Sequence, residues 1–223
     1  MSEWWTYSLS DFLMFSQRSY YRLIALYNEA LWPAHLLALA VGLVVIVCVA
    51  RPRPHTRRIA LLALALAWAW IGWAYHLDRY ADINTGAPWF ALAFGVQALL
   101  LGLLAARPHG AAPARMQRQL ALGLIGLAVV AYPLLALGSG GGWGQAEVFG
   151  IAPDPTAIAT LGMLLACRAH LIAWLIPLAW CAVSGATLME LRVAHAWLLP
   201  TFAILAIAAS LLYRRGSQAR KHG

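Results

Sequence analysis

The 223-residue chain has few charged residues: Asp, Glu, Lys and Arg together make up 11% of it, whereas 62% of its residues are hydrophobic. Soluble domains contain about a quarter charged and roughly half apolar residues. A chain of this size with so little polar material cannot cover a water-soluble core, and it has no room for a second sizeable soluble domain. The composition therefore predicts one compact membrane domain.

Cysteine and lysine are also scarce. Cys48, Cys167 and Cys181 lie in apolar segments without C-x-x-C spacing, so we expect packing residues rather than a disulfide framework or a zinc site. Lys221 is the only lysine and lies in the tail, which excludes a retinal Schiff base within a span. No HExxH, CxxCH or GxSxG motif indicates a metalloprotease, an attached haem or a serine hydrolase.

The apolar segments predict an all-α integral membrane protein, because crossing a bilayer takes about 20 helical residues. We expect a bundle of seven transmembrane helices in residues 32–213, followed by a basic cytoplasmic tail at 214–223. The predicted spans are 32–50, 59–75, 88–106, 120–137, 156–167, 171–189 and 196–213. The fifth span is short, so a six-span arrangement with 156–167 as a re-entrant segment is the alternative.

Residues 1–31 show a different pattern. Glu3 is the first charged residue and Trp4 and Trp5 follow it, which does not fit the basic start of a signal peptide. Within 11–31, which Ser10 or Asp11 could cap, apolar residues recur at helical spacing: Tyr20, Leu23, Ile24, Tyr27 and Leu31. This region predicts an amphipathic helix on the outer membrane surface, ahead of the first span.

Charge asymmetry orients the predicted spans. With an N-terminus outside and seven crossings, 12 of the 16 basic residues are cytoplasmic, as the positive-inside rule requires: Arg51, Arg53, Arg57, Arg58, Arg107, Arg115, Arg118, Arg168, Arg214, Arg215, Arg220 and Lys221. The assignment does not use the acidic residues, yet all eight then lie outside: Glu3, Asp11, Glu29, Asp78, Asp82, Glu147, Asp154 and Glu190. Six spans would put the basic tail outside, so charge favours seven. We expect a bacterial inner (cytoplasmic) membrane protein with a cytoplasmic C-terminus.

Tryptophans follow the same orientation. Near the predicted outer interface, where an amphipathic ring is favoured, lie Trp4, Trp5, Trp32, Trp73, Trp89, Trp143 and Trp197. The net charge of +8 then reflects topology and attraction to anionic lipids, and no aromatic-interleaved basic patch indicates nucleic-acid binding. The expected partners are the lipid bilayer and, as candidates, another membrane protein or a second copy of the chain.

Three histidines are predicted at similar depth near the outer ends of spans: His35, His76 and His195. Ionisable groups at such positions are costly and mark candidate sites, and Asp82, Asp154 and Glu190 belong to the same layer. Imidazole and carboxylate groups together are ligands for zinc, copper(II) and other transition metals. Two of the histidines could instead hold the iron of haem b, and each could equally be an ordinary interfacial hydrogen-bonding residue.

Three segments carry a resemblance to a known family: 27–33 (YNEALWP), 73–76 (WAYH) with Ile83 and Asn84, and 149–156 (FGIAPDPT) leading to 160–162. They resemble a bacterial family of multi-spanning membrane proteins called domain of unknown function 6064, over about residues 11–212. The resemblance brings no established activity. It implies that the family's pattern includes Tyr27, Asn28, Trp32, Pro33, Tyr75, His76, Asn84 and the turn at 153–156, which contains Thr156.

The predicted function is the binding or passage of a metal ion or other small solute at the outer layer. His76 and His195 would be ligands, and Asp82 or Asp154 would supply charge. One alternative is a haem-b redox protein that uses two of the three histidines. The other is a non-catalytic accessory subunit that docks into a larger membrane complex through its outer loops. No catalytic residues are predicted.

Overall fold

The computed structural model describes residues 15–107, 113–138 and 140–222. These residues form helices joined by short connections and contain no β-strand, which confirms the predicted all-α class. Within the described residues, four helical segments are long and apolar enough to cross a membrane: Pro54–Asp82, Ala87–Ala106, Arg115–Gly138 and Ile172–Glu190. A fifth candidate is the pair Gln17–Leu31 and Ala34–Ala50, if these two helices form one span bent by 91°.

In the described ranges the α-helices are, in chain order, α1 (Gln17–Leu31), α2 (Ala34–Ala50), α3 (Pro54–Trp70), α4 (Ala87–Ala106), α5 (Arg115–Gly126), α6 (Leu135–Gly138), α7 (Pro153–Cys167), α8 (Ile172–Glu190) and α9 (Leu198–His222). Each apolar segment that the sequence predicts as a span lies mostly within one of these helices or their continuations. α3 continues into a π-helix, Ile71–Leu77, and α5 continues through a π-helix, Leu127–Ala131, and a 3-10 turn, Tyr132–Leu134. Short 3-10 turns also occur at Tyr80–Asp82 and Trp143–Gln145.

Helix α7 is the centre of the fold. It packs against α3, α5, α8 and α9, and all of its residues from Pro153 to Leu165 are buried. Pro153 and Pro155 are tolerated because they lie in the first turn, where backbone amides have no intrahelical acceptor. Gly162 lets α5 approach closely, since a Cβ at this position would lie 2.8 Å from the carbonyl oxygen of Ala121. Small residues and first-turn prolines thus allow α7 to be enclosed on all sides.

Helix α1 is amphipathic and its apolar face packs on the protein itself. Ser16 is its N-cap and accepts a hydrogen bond from the amide of Ser19, whereas the suggested caps Ser10 and Asp11 lie outside the described residues. The buried face contacts the 3-10 turn Trp143–Gln145, and the chain then enters α2 through a cis peptide bond before Pro33. The buried residues of α1 are Tyr20, Ile24, Tyr27 and Asn28.

Candidate functional site

Asp154 is a fully buried carboxyl group in the first turn of α7. The indole Nε1 of Trp180 donates to its Oδ1 across 2.8 Å, and the Tyr132 hydroxyl donates to its Oδ2 across 3.1 Å. The Ser184 hydroxyl lies 2.8 Å from Oδ1 and 2.9 Å from Oδ2. Trp180 and Ser184 are four residues apart on α8 and therefore share one helix face. Asp154 thus has three neutral hydrogen-bond donors.

Glu147 is a second buried carboxyl group, 6% exposed, in the segment between α6 and α7. Its Oε2 has no hydrogen-bond partner among the described residues. Burial, and then the neighbouring Asp154 carboxyl, raise the pKa of Glu147 well above its usual value, while a hydrogen bond with Tyr20 acts in the opposite direction. Two carboxyl groups that interact electrostatically are therefore enclosed in the same part of the protein.

A small cavity of about 10 Å³ lies beside Glu147. Its polar lining comes from Tyr21, Tyr132, Gln145, Glu147 and His195. The hydroxyl of Tyr21 is buried and has no hydrogen-bond partner among the described residues. Burial also lowers the pKa of His195, so its ring is neutral at neutral pH. Because Tyr132 both lines this cavity and donates to Asp154, it connects the two carboxyl groups.

Neither carboxyl group has a cationic neighbour in the described part of the chain. The ion pair found there joins Arg79 to Asp78 across 2.9 Å, and both of its side chains are substantially exposed. A buried ionised carboxylate without a counter-charge is costly. The pair must therefore hold at least one proton or accept a cation.

His76 is completely buried within a cluster of aromatic rings. Its ring centroid lies 4.4 Å from that of Phe94 and 5.0 Å from that of Trp180, and Tyr75, Tyr80 and Phe90 also surround it. Neither imidazole nitrogen has a hydrogen-bond partner among the described residues. Trp180 links His76 to Asp154, because its ring contacts the imidazole and its indole N–H donates to the carboxyl group.

Local departures from α-helical geometry position two of these residues. His76 belongs to the π-helix Ile71–Leu77, and Tyr132 directly follows the π-helix Leu127–Ala131. π-Helical turns are rare and often occur at functional sites. After Tyr132, Pro133 lacks an amide proton, and the chain makes a 3-10 turn before α6 resumes. The site thus depends on wider helical turns that shift the direction of each side chain.

His35 and Asn28 form a separate polar group between α1 and α2. Asn28 Nδ2 donates to the carbonyl oxygens of Gly144 and Ala146, at 2.9 Å each, and its Oδ1 lies 3.1 Å from His35 Nε2. The Tyr27 hydroxyl donates to the carbonyl oxygen of Ile151. These residues attach α1 to the segment that carries Glu147, so they support the site without facing its cavity.

The remaining predicted residues are distributed differently. Asp82, Glu190 and Trp32 are exposed, and Asn84 Oδ1 accepts a hydrogen bond from the amide of Gly86. Tyr75 is buried, with its ring 5.6 Å from that of Tyr27. Thr156 lies near the start of α7, which begins at Pro153. Its hydroxyl donates to the carbonyl oxygen of Ala152 and accepts from the amide of Gly150, a residue with a φ of 79°.

No three His, Cys, Asp or Glu side chains within the described ranges lie close enough together to hold a metal ion. His195 and Glu147 share the small cavity, His76 lies in the aromatic cluster, and His35 pairs with Asn28. Any ion at the Glu147 cavity would therefore need tyrosine or amide oxygens among its ligands.

Sequence reasoning misses six residues of this site. It predicts Glu147 only as one of eight external acids, and it gives no role to Tyr21, Tyr132, Gln145, Trp180 and Ser184. The four-residue spacing of Trp180 and Ser184 is a weak signal, because it places an indole donor and a hydroxyl on one face of an apolar helix. No pattern around Glu147 indicates that its side chain points inward.

Comparison with known proteins identifies the family. A family model described as a family of unknown function, DUF6064, matches residues 17–221. The chain belongs to this DUF6064 family. No curated protein and no solved structure matches it. The resemblance carried by the three sequence segments is thus confirmed, and the function of this DUF6064 member has to be inferred from its own residues.

Proposed function

We propose that this DUF6064 protein is a seven-span protein of the bacterial inner membrane that binds or passes a small cation at Asp154 and Glu147. The supporting observation is a pair of buried carboxyl groups with neutral donors around one, an unpartnered oxygen on the other, and no cationic side chain beside either among the described residues. A cation of small size is the ligand class that would balance such a pair.

Helix lengths and exposed tryptophans support the membrane arrangement. Four segments qualify as spans by length and composition; in the proposal, the 91° bend separates α1 on the surface from α2 in the bilayer. The apolar stretch Leu198–Tyr213 of α9 supplies another span. α7, with 15 residues, is about 22 Å long, shorter than the ~30 Å hydrocarbon layer, but protein rather than lipid surrounds it.

The proposed orientation has the N-terminus outside and the C-terminus in the cytoplasm. Five of the tryptophans predicted at the outer interface are described, and all are between 61% and 73% exposed: Trp32, Trp73, Trp89, Trp143 and Trp197. Exposed indoles suit a membrane interface, where an amphipathic ring is favoured. In this orientation Glu147 and Asp154 lie toward the outside, so the cation would enter from that face.

The geometry favours some of the predicted ligands over others. Glu147 and His195 line the same cavity, together with the hydroxyl-bearing Tyr21 and Tyr132. A carboxylate, phenol oxygens and the side chain of Gln145 suit a hard cation, and a neutral His195 allows a transition metal as well. His76 would act indirectly, by fixing the position of Trp180 against Asp154.

The test is thermal unfolding of the detergent-purified full chain in choline chloride, with lithium, sodium, potassium, calcium, manganese or zinc chloride added at constant ionic strength. A ligand that binds the folded state stabilises it by about 2.7 kcal/mol at a hundred times its Kd. Wild type is compared with Glu147→Gln and with the matched control Glu190→Gln, whose side chain is exposed.

The proposal requires that one cation raise the Tm of wild type and of Glu190→Gln. Glu147→Gln should bind the same cation with at least tenfold lower affinity. If no cation shifts the wild-type Tm, or if Glu147→Gln responds like wild type, the proposal is wrong.

The same purified protein distinguishes the alternative functions. A Soret band in its absorption spectrum would indicate haem, and a second protein at fixed stoichiometry would indicate an accessory subunit. Proteoliposomes loaded with a cation indicator then distinguish passage from binding.

A further inference from the structure

A second cavity, of about 290 Å³, lies between the C-terminal end of α4 and the start of α8. Apolar side chains form most of its lining: Leu100, Leu103, Leu104, Ile172 and Ala173. Two polar residues, Arg107 and His170, complete it. Arg107 is the C-cap of α4, and His170 precedes α8, so both polar groups lie at the helix ends of an apolar groove.

The polar end of the groove has hydrogen-bond donors suited to an anion. Arg107 is exposed, and no carboxylate lies within ion-pair distance of it among the described residues. His170 Nδ1 accepts a hydrogen bond from the amide of Ile172, so the neutral ring carries its proton on Nε2. A guanidinium group and an imidazole N–H are both donors that suit phosphate oxygens.

The apolar end of the groove is lined by exposed side chains suited to a hydrocarbon chain. Leu103 is 60% exposed and Ile172 is 56% exposed, on helices that are both long and apolar enough to cross a membrane. α4 is the least enclosed of the four long apolar segments in the described chain, with 28% of its apolar window buried. A free phosphate ion would leave this leucine-lined space unfilled, whereas a lipid would fill it with an acyl chain.

We propose that this groove binds one acidic phospholipid, with its phosphate at Arg107 and His170 and an acyl chain along Leu100, Leu103 and Ile172. Basic pockets between helices at a membrane surface bind anionic headgroups, and the groove combines that charge with an apolar wall. This lipid site requires that the helices lie in a membrane, as the proposed function has them. It does not depend on the cation site at Glu147. Either site can fail its test without affecting the other.

The test is native mass spectrometry of the detergent-purified full chain, titrated with phosphatidylglycerol or phosphatidylcholine of the same acyl chains. Wild type is expected to retain one phosphatidylglycerol in preference to phosphatidylcholine. Arg107→Gln should weaken that binding about tenfold, which is the scale of one lost charge-assisted hydrogen bond. Arg115→Gln is the matched control, because Arg115 is exposed at the start of α5 and does not line the groove.

A second variant tests the apolar part of the groove. Leu103→Trp fills the groove and leaves Arg107 unchanged. Phosphatidylglycerol binding should therefore fall although the charged residue is still present. Inorganic phosphate and glycerol 1-phosphate, added at the same concentrations, should not compete. Equal retention of the two lipids by wild type would overturn the proposal, and so would unchanged binding in Arg107→Gln. Full competition by inorganic phosphate would show an anion site rather than a lipid site.

Discussion

Trp180 donates a hydrogen bond to Asp154 across 2.8 Å, and its indole ring packs against His76 with 5.0 Å between the ring centroids. One side chain thus joins a buried carboxyl group on α7 to a buried imidazole in the π-helix that extends α3. The packing of His76 therefore helps to position one of the three donors of Asp154.

Trp180→Phe removes this donor and keeps most of the ring packing. We expect it to lower the free energy of unfolding by about 1–3 kcal/mol, because Asp154 loses one of its three donors without access to water. Trp197→Phe is the matched control, since Trp197 is 69% exposed, and should change stability by less than about 0.5 kcal/mol. Denaturant unfolding in detergent measures both. Equal effects would show that the hydrogen bond to Asp154 is not what stabilises this region.

The pH dependence of stability should depend on Glu147. Because its pKa is raised in the folded protein, the folded state binds more protons than the unfolded state between the usual value near 4.5 and the raised value. Stability should therefore fall as pH rises above about 5, by at most ~1.4 kcal/mol per pH unit from this group. Tm measured from pH 5 to 8 should decline less steeply in Glu147→Gln than in wild type. A Glu190→Gln control that flattened the profile equally would contradict this assignment.

Gly162→Ala should be destabilising because its new Cβ would lie 2.8 Å from both the Ala121 carbonyl oxygen and Ile125 Cγ1. Overpacking of this kind costs about 1–3 kcal/mol. Gly123→Ala on α5 is the control, since nothing lies within 4 Å of its added Cβ, and it should be neutral or up to ~1 kcal/mol stabilising. Thermal unfolding of the two variants should therefore give Tm shifts of different size, with a decrease only for Gly162→Ala.

Thr160→Val removes the acceptor of the Trp68 indole N–H, which donates to Thr160 Oγ1 across 2.8 Å between α3 and α7. Trp68 is fully buried, so its N–H would be left without a partner, at a cost of about 1–3 kcal/mol. Thr201→Val, the same change at an exposed position on α9, should have little effect. Chemical unfolding monitored by tryptophan fluorescence compares them. A Thr160→Val protein as stable as wild type would show that this bond contributes nothing net.

Cysteine labelling on intact bacterial cells distinguishes seven spans from six. In a chain whose three cysteines are replaced by alanine, Thr85→Cys should react with a membrane-impermeant maleimide, because residue 85 lies outside in both arrangements. His55→Cys, which is cytoplasmic in both arrangements, should react only after permeabilisation. His170→Cys should behave in the same way if α7 crosses the membrane. Labelling of His170→Cys on intact cells would instead show that 156–167 is re-entrant. All three positions are exposed in the protein.

The helical segments could be read from the sequence because long apolar runs leave few alternatives to a helix in a membrane. The segment 172–190 is a clear case, since its predicted span at 171–189 differs by one residue at each end. The predicted span at 156–167 begins three residues after the start of α7. The turn expected at 153–156 is helical, because Pro153 and Pro155 occupy the first helical turn, where proline is allowed.

The composition of the site was less predictable. His76 and Tyr132 point where they do because π-helical turns rotate the chain, and no residue pattern marks such a turn. Asp154 is predicted in the outer layer, but its partners Trp180 and Ser184 come from α8, whose rotation a sequence does not reveal. The depth of a residue along a span can be found by counting residues in the sequence. Which side chains lie next to one another depends on how several helices pack, and the sequence does not give that packing.

The enclosure of α7 has a consequence for biogenesis. Translation delivers α7 before α8 and α9, two of the helices that surround it, and Trp180 and Ser184 are synthesised 26 and 30 residues after Asp154. Until then Asp154 and Glu147 lack their final surroundings. α7 can therefore be enclosed only after the last third of the chain has been synthesised. A chain that ended near residue 170 would lack Trp180 and Ser184, and Asp154 would be left without two of its three donors.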